Sequence, residues 1–587
     1  MNHFVYIRYS DLFDERLPLS SIQVILKRFK RSQAFLRMAQ INVLLSREML
    51  MRDKEGMQKL QGSLLATFLD DETFERRLKA RYGPAKMDEC PVFTRQAALA
   101  LLRKCTLHSN VDGLTDNDEG SGAYELGKCF LIVNDHLVSQ AQERAISEGT
   151  RAKTRKQLAL QLAPTMELYN PPNPERAVVR AETIFRDVLR SPQIRAKFRE
   201  KLPGFNLATE FRKATGLSLQ RYRDLVFLTL LLYSIEDRER MLANPSLFLL
   251  NRTSSFRNSK ISERAVERYL KVVSVGLGEL QTLFRKQMRE FPSVKPQYNF
   301  MSFRKYPLVE LEDNNLVCVD PSFLVEKLGA GVYHTIRDSM PAKYKERASS
   351  AFGYLFEEYV DRLMREIYPE TSGRLISFPQ FERSRNEAFD GVVIFPDGHI
   401  IVLEYKGGFL KLETKYSGRV RLFEEELNSR FGAKRGLQQL MNGIERLFNK
   451  NHPNNDRITE LQNMGTRITK VTPVLITQEP FLRFDFMNWI LRPSFIKLKE
   501  KSKARIVEIA PFQMLDIDTL EKMKLNLIHG DFTLEQCLNR RAIDDPDLVS
   551  SFDGFMRLNF PEYGRRTDDQ HDDRYQKIFD RVRALVT

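Results

Sequence analysis

From the N-terminus to about residue 290, apolar residues recur at intervals of three and four. The stretches "SSIQVILKRFKRSQAFLRMAQINVLLSREML" (20–50) and "YRDLVFLTLLLYSIEDRERML" (222–242) are typical. That period predicts amphipathic helices nearly throughout, with few strands. Turn-forming clusters at 108–123 and 169–175 mark loops between them. Near residue 300 the pattern changes: "FRKYPLVELEDNNLVCVDPSF" reads as short strand-like runs separated by turn signals. Helices and several strands follow, then a helical tail. The expected organisation is a large all-α region over 1–295, an α/β domain with a mixed sheet over 300–525, and a C-terminal helical tail over 526–587 packed on that domain.

The most informative stretch is "EAFDGVVIFPDGHIIVLEYKGG" (387–408). Pro396, Asp397 and Gly398 form a strong turn signal between two apolar runs, which predicts a hairpin centred on Asp397. Positions whose numbers sum to 794 then face each other, so Val393 meets Ile401 and Asp390 meets Glu404. The two carboxylates become cross-strand neighbours with Cβ atoms about 5 Å apart, and Lys406 shares the face of Glu404. Otherwise both faces are apolar, with Val392, Ile394, Ile400 and Val402 on one and Val393, Phe395, Ile401 and Leu403 on the other, as in a strand pair covered on both sides. Two partly buried carboxylates this close repel each other unless a cation joins them. Magnesium, with manganese as a substitute, suits such oxygens and keeps positions open for phosphate. Lys406 is placed to orient a metal-bound water or to stabilise charge developing on phosphorus.

Asp390, thirteen residues, and then Glu404-Tyr405-Lys406 resembles the D...ExK signature of the PD-(D/E)XK, or restriction-endonuclease-like, phosphodiesterases. The resemblance covers roughly residues 300–525. It implies a mixed-sheet core, magnesium-dependent hydrolysis of DNA, and metal ligation by Asp390, Glu404 and the backbone carbonyl of Tyr405. Members of that group commonly place an acid on the helix before the hairpin. The stretch "AFGYLFEEYVDRLMREIYPE" (351–370) is such an amphipathic helix, with Gly353, Phe356, Glu357 and Val360 in the matching pattern. Glu357 borders the apolar stripe and is the expected third acid; Glu358 falls with Asp361 and Arg365 on the wet side. In several branches a glutamine on the helix after ExK orients the lysine or a phosphate, a part open here to Gln438 or Gln439. Lys434 and Arg435, at the start of that helix, and Lys499 and Lys501, in a basic turn between two later strands, are candidate phosphate contacts. A large appended helical region in this group suggests defence against phage or mobile DNA. A separate ATPase or helicase, or another defence protein, and a homo-oligomer are conceivable partners on the same analogy.

Composition narrows this picture without changing it. The net charge of +15 favours polyanionic partners, and duplex DNA is expected before single strands. No run of eighteen apolar residues and no apolar leader stands in the sequence, so a membrane partner is not expected and a cytoplasmic location is. Five well-separated cysteines form neither a disulfide framework nor a zinc pair. The acids at 112–119 lack the spacing of a calcium loop, and His452 and His529 lack a second ligand at metal spacing. His399 falls at the turn, far from the acids. No GxxxxGK[ST] loop occurs, so ATP hydrolysis by the chain itself is not expected. Two other readings fit the same residues: a nucleic-acid-binding scaffold with a nuclease-like fold and no chemistry, and an RNA-cleaving nuclease.

Overall fold

The computed structural model describes residues 7–51, 54–83, 91–113, 122–137, 167–168, 170–233, 238–252, 254–257, 260–290, 299–311, 314–369, 375–377, 389–416, 419–432, 434–448, 468–502 and 508–586. Cys90, the loop acids Asp116, Asp118 and Glu119, and His452 lie outside the described residues. Helices dominate, and two mixed sheets accompany them.

The first sheet belongs to the helical half. Strands β1 (Leu249–Asn251), β2 (Ser274–Gly276), β3 (Leu308–Glu310) and β4 (Asn315–Cys318) lie in the order β1-β4-β3-β2. Leu308, Val309, Leu316 and Val317 are buried in the core that also holds Phe35, Leu99 and Phe130. A buried ion pair fastens this segment: Asp320 meets Arg95 at 2.5 Å and also accepts from Asn42, Ser46 and Ser322. The unit therefore runs further than the expected boundary near 295–300. Residues 299–355 pack with the helical half, because β3 and β4 find their sheet partners in 249–251 and 274–276, which the local pattern around residue 300 does not reveal.

The second sheet holds the hairpin. Strands β5 (Leu375–Ser377), β6 (Gly391–Ile394), β7 (His399–Lys406), β8 (Lys470–Thr477), β9 (Glu508–Ile509) and β10 (Gln513–Asp516) give the order β10-β8-β7-β6-β5, with β9 also on β8. β5, β6 and β7 are antiparallel; β7, β8 and β10 are parallel. The sheet is covered on both sides, as the two apolar faces of the hairpin require. Val392, Ile400 and Val402 face a core with the helices Gly436–Leu447 and Met487–Lys501. Val393, Phe395, Ile401 and Leu403 face one with the helices Lys345–Ile367, Ile517–His529 and Leu534–Asp544.

The long helix Lys345–Ile367 joins the halves: Ala348 to Leu355 are buried in the helical core, and Phe356 to Ile367 in the sheet core. The tail divides too. Its helices through Asn559 lie on the sheet, as expected, but the last helix, Asp569–Arg583, crosses to the helical half. There Ile578 and Val582 are buried, Tyr575 meets Phe227, and Arg581 pairs with Glu182 and Asp224. An amphipathic stripe shows that a helix docks, not where.

Candidate active site

The hairpin closes in the expected register. Gly398, at φ +82°, donates to Phe395 at 3.1 Å, and Phe395 donates back to His399 at 2.9 Å. Val393 pairs with Ile401 and Gly391 with Leu403. Asp390, one step beyond, donates its N–H to the Leu403 carbonyl at 3.1 Å, and its carboxylate accepts the Tyr405 N–H at 2.6 Å. Glu404 is buried and accepts from the Lys406 ammonium on the same face of β7. These groups sit at the C-terminal end of β7, where the parallel strands of an open α/β sheet place ligands.

Glu357 reaches the same end from the Lys345–Ile367 helix. The approach depends on two glycines. A Cβ at Gly407, just past Lys406, would meet the Phe356 Cβ at 2.5 Å and the Gly353 Cα at 3.1 Å. The helix therefore lies against the strand end and carries Glu357, one turn beyond Gly353, toward the acids. Glu358 points elsewhere and pairs with Arg362 at 2.9 Å. Asp361, expected on the wet side with it, is buried and pairs with Arg365 at 2.9 Å, because it lies on the side of the helix near the buried Tyr405, whose phenol its charge helps to raise.

The charges act on one another. Burial, then Glu404 and Glu357, push the Asp390 carboxyl well above the usual carboxylate range, against Lys406 and the Tyr405 N–H. Burial alone would lower Lys406, but Glu404, Asp390 and Glu357 outweigh it and hold the ammonium above its ordinary value. A cation that sequence reasoning missed completes the set: Lys197, on the helix Pro192–Lys201 of the helical half, lies 2.9 Å from Glu357 and 4.5 Å from the Tyr354 ring. Nothing in the local sequence marks it, since its partner is 160 residues away. Arg430 was missed as well; a Cβ on Gly408 would stand 3.4 Å from its guanidinium, which pairs with Glu426 at 3.0 Å.

Other candidates are placed less closely. The Tyr405 side chain is buried beneath the opposite face, and its N–H serves Asp390. Gln439 is exposed, and the Gln438 amide donates to Asn442 at 2.7 Å, so neither glutamine is hydrogen-bonded to the acids. Lys434 and Arg435 are exposed at the start of their helix. Lys499 and Lys501 form part of the Met487–Lys501 helix and not a turn. Lys499 donates to the Ile509 carbonyl at 2.6 Å, and Ile509 pairs with Val471, at the N-terminal end of β8. The acids lie level with Leu475 to Thr477. Several residues at about 3.3 Å each separate the two levels, which puts Lys499 at the opposite edge of the sheet from the acids. His529 is exposed at a helix end.

That opposite edge holds a second group. Among the described residues, Asp397, His399 and Glu535 are the only three metal-type ligands whose donor atoms all lie within 4.8 Å of one another; Glu357, Asp390 and Glu404 are more widely spread. Nothing in the local sequence marks Glu535, on the Leu534–Asp544 helix, as a partner of the turn, which lies 136 residues away from it at His399. No protein-family model, curated protein or solved structure matches the chain.

Proposed function

We propose that the chain is a divalent-metal-dependent phosphodiesterase that cleaves DNA, duplex in preference to single strands, with a restriction-endonuclease-like core built on the second sheet. The observation that carries this reading is the convergence of Asp390, Glu404 and Glu357 with Lys406 at the end of a hairpin buried on both faces. A strand tip has no structural need for a buried Asp390 whose proton affinity is raised by burial, Glu404 and Glu357. Asp390 and Glu404 would hold the ion, with Glu357 as the third carboxylate. Magnesium, or manganese in its place, supplies a Lewis acid and a more acidic bound water. Positive charge at the site would offset the burial and the neighbouring acids that raise the Asp390 carboxyl. Lys406, anchored by Glu404, orients the attacking water and then stabilises the charge on phosphorus as the new P–O bond forms and the ester bond breaks. The proton lost by the attacking water passes to solvent, and the leaving oxygen takes one from solvent water. The net positive charge of the chain supports the choice of a polyanionic substrate.

A second reading has one observation in its favour. Lys406 and Lys197 already neutralise Glu404 and Glu357 without any ion, as suits a nucleic-acid-binding scaffold that does no chemistry. Supercoiled plasmid and linear duplex, incubated with the purified chain with and without magnesium, separate the two. Nicking that requires magnesium and disappears in Asp390→Ala and Lys406→Ala, with DNA retention intact, supports the enzyme. Retention with no cleavage and no metal-linked rise in melting temperature supports the scaffold.

A further inference from the structure

The turn end of the hairpin carries its own cluster, separate from the acids at the strand tips. Asp397 is exposed in the turn, and its carboxylate accepts the His399 N–H at 3.0 Å, which fixes it beside the imidazole. The His399 ring is buried, with Nδ1 at 2.6 Å from Glu535 Oε1 and Nε2 at 2.8 Å from the Thr472 hydroxyl. Glu535 is half-buried in the first turn of the Leu534–Asp544 helix. Among the described residues neither carboxylate lies within ion-pair distance of a lysine or arginine, and His399 is the one ionisable partner of Glu535.

We infer that Asp397, His399 and Glu535 form a site for a first-row transition ion of the zinc class, one that clasps the hairpin turn to the Leu534–Asp544 helix. Two donors each about 2.1 Å from a shared zinc ion stand at most about 4.2 Å apart. Donor atoms already within 4.8 Å of one another therefore need only rotamer-scale adjustment. The imidazole decides the class of ion: one ring nitrogen with two carboxylates suits zinc, cobalt or nickel, and magnesium prefers an all-oxygen shell. Thr472 fits the outer-shell part. When Nε2–H donates to its hydroxyl, the Nδ1 lone pair faces Glu535, and positive charge, a proton or an ion, must lie between those two acceptors. Asp397, open to solvent, provides the path of entry and leaves room for water in the remaining position. The role is structural, because the cluster and the acids of the strand tips sit at opposite ends of β7.

The test uses the full chain carrying Asp390→Asn, which weakens the acid site and leaves this one untouched. Calorimetric titration with zinc and visible absorption with cobalt read occupancy; melting temperature reads the clasp. The expected result is one zinc equivalent bound, a cobalt spectrum typical of nitrogen and oxygen ligation, and a higher melting temperature with zinc but not with magnesium. Glu535→Gln and Asp397→Asn, both at accessible positions that leave the buried ring in place, should each lower zinc affinity by about tenfold or more. Zinc affinity unchanged in both variants, or no zinc equivalent in the Asp390→Asn chain, overturns the inference. Neither result bears on magnesium-dependent nicking by the parent chain, so the two proposals fail independently.

Discussion

The two ends of one hairpin concentrate charge in different ways. At the strand tips, Glu404 and Glu357 act electrostatically on Asp390, and the compensation is cationic: Lys406 from the same strand and Lys197 from the helical half. At the turn, Glu535 meets the buried His399 imidazole, Asp397 accepts the His399 backbone N–H, and among the described residues neither carboxylate pairs with a lysine or arginine. Both clusters sit where a two-sided strand emerges from its apolar cover, the place where charge can be solvated or bound. The difference lies in donor chemistry. All-oxygen ligation beside a raised lysine suits a hard ion and phosphate, whereas an imidazole between carboxylates suits a softer ion with no phosphate to handle.

The sharpest break of this comparison is by activity. Asp390→Asn and Lys406→Ala should each reduce magnesium-dependent cleavage by at least about a hundredfold. His399→Gln, provided that circular dichroism shows it folded, should leave the rate within a small factor of the parent. If His399→Gln lost activity as fully as Lys406→Ala, the turn would belong to the reaction and the division between the ends would fail.

Proton linkage separates the ends next. Asp390 has its folded pKa raised above the unfolded value of about 3.9. Between those two values the folded chain holds more protons than the unfolded one, so this group makes stability fall as pH rises, by up to about 1.4 kcal/mol per pH unit. At the proposed site magnesium would displace that proton, so its stabilising effect should grow with pH through the same window, and Asp390→Asn should remove both trends. Melting temperature from pH 4 upward, with and without magnesium, measures this; a magnesium effect independent of pH would mean that Asp390 does not bind the ion.

Backbone geometry distinguishes the ends in a third way. Gly407→Ala drives a methyl group into Phe356 and Gly353, and overpacking of this kind costs about 1–3 kcal/mol. It should also push Glu357 away and weaken magnesium binding. Gly398→Ala forces a side chain into left-handed backbone at a cost of about 1–2 kcal/mol, with no effect on magnesium. Equal effects on magnesium from both glycines would show that it responds to general loosening of the hairpin and not to the helix contact.

How much of this was legible in sequence follows from how far each partner lies along the chain. Pro396, Asp397 and Gly398 set the register by themselves, so Asp390, Glu404 and Lys406 could be placed with no knowledge of the fold. Glu357 was within reach because its helix precedes the hairpin and its apolar stripe chooses its side. Lys197, Arg430 and Glu535 were not, since only the packing of separate helices brings them to β7. The same limit displaced the domain boundary and the last helix. β3 and β4 look like the start of a new domain until β1 and β2 are seen to flank them. Lys499 and Lys501 were misplaced because a lysine-rich run between two strands reads as a turn, whereas here it ends a helix at the far edge of the sheet.

Lys197 gives the smallest expected effect and the finest test. Its pairing with Glu357 is part-exposed, 30% and 27% for the two side chains, so the contact itself contributes only about 0.2–1 kcal/mol. Stability should barely move in Lys197→Ala. Metal binding should move, and upward: the ammonium would compete with the proposed ion for Glu357, and its removal takes away one of the two lysines that pair with these acids. A gain within that energy corresponds to an affinity for manganese higher by up to about fivefold. Lys197→Arg should keep the parent affinity. Weaker manganese binding in Lys197→Ala would reverse the assignment, making Lys197 the group that holds Glu357 in position. The helical half would then build the acid end of the hairpin and not merely cover it.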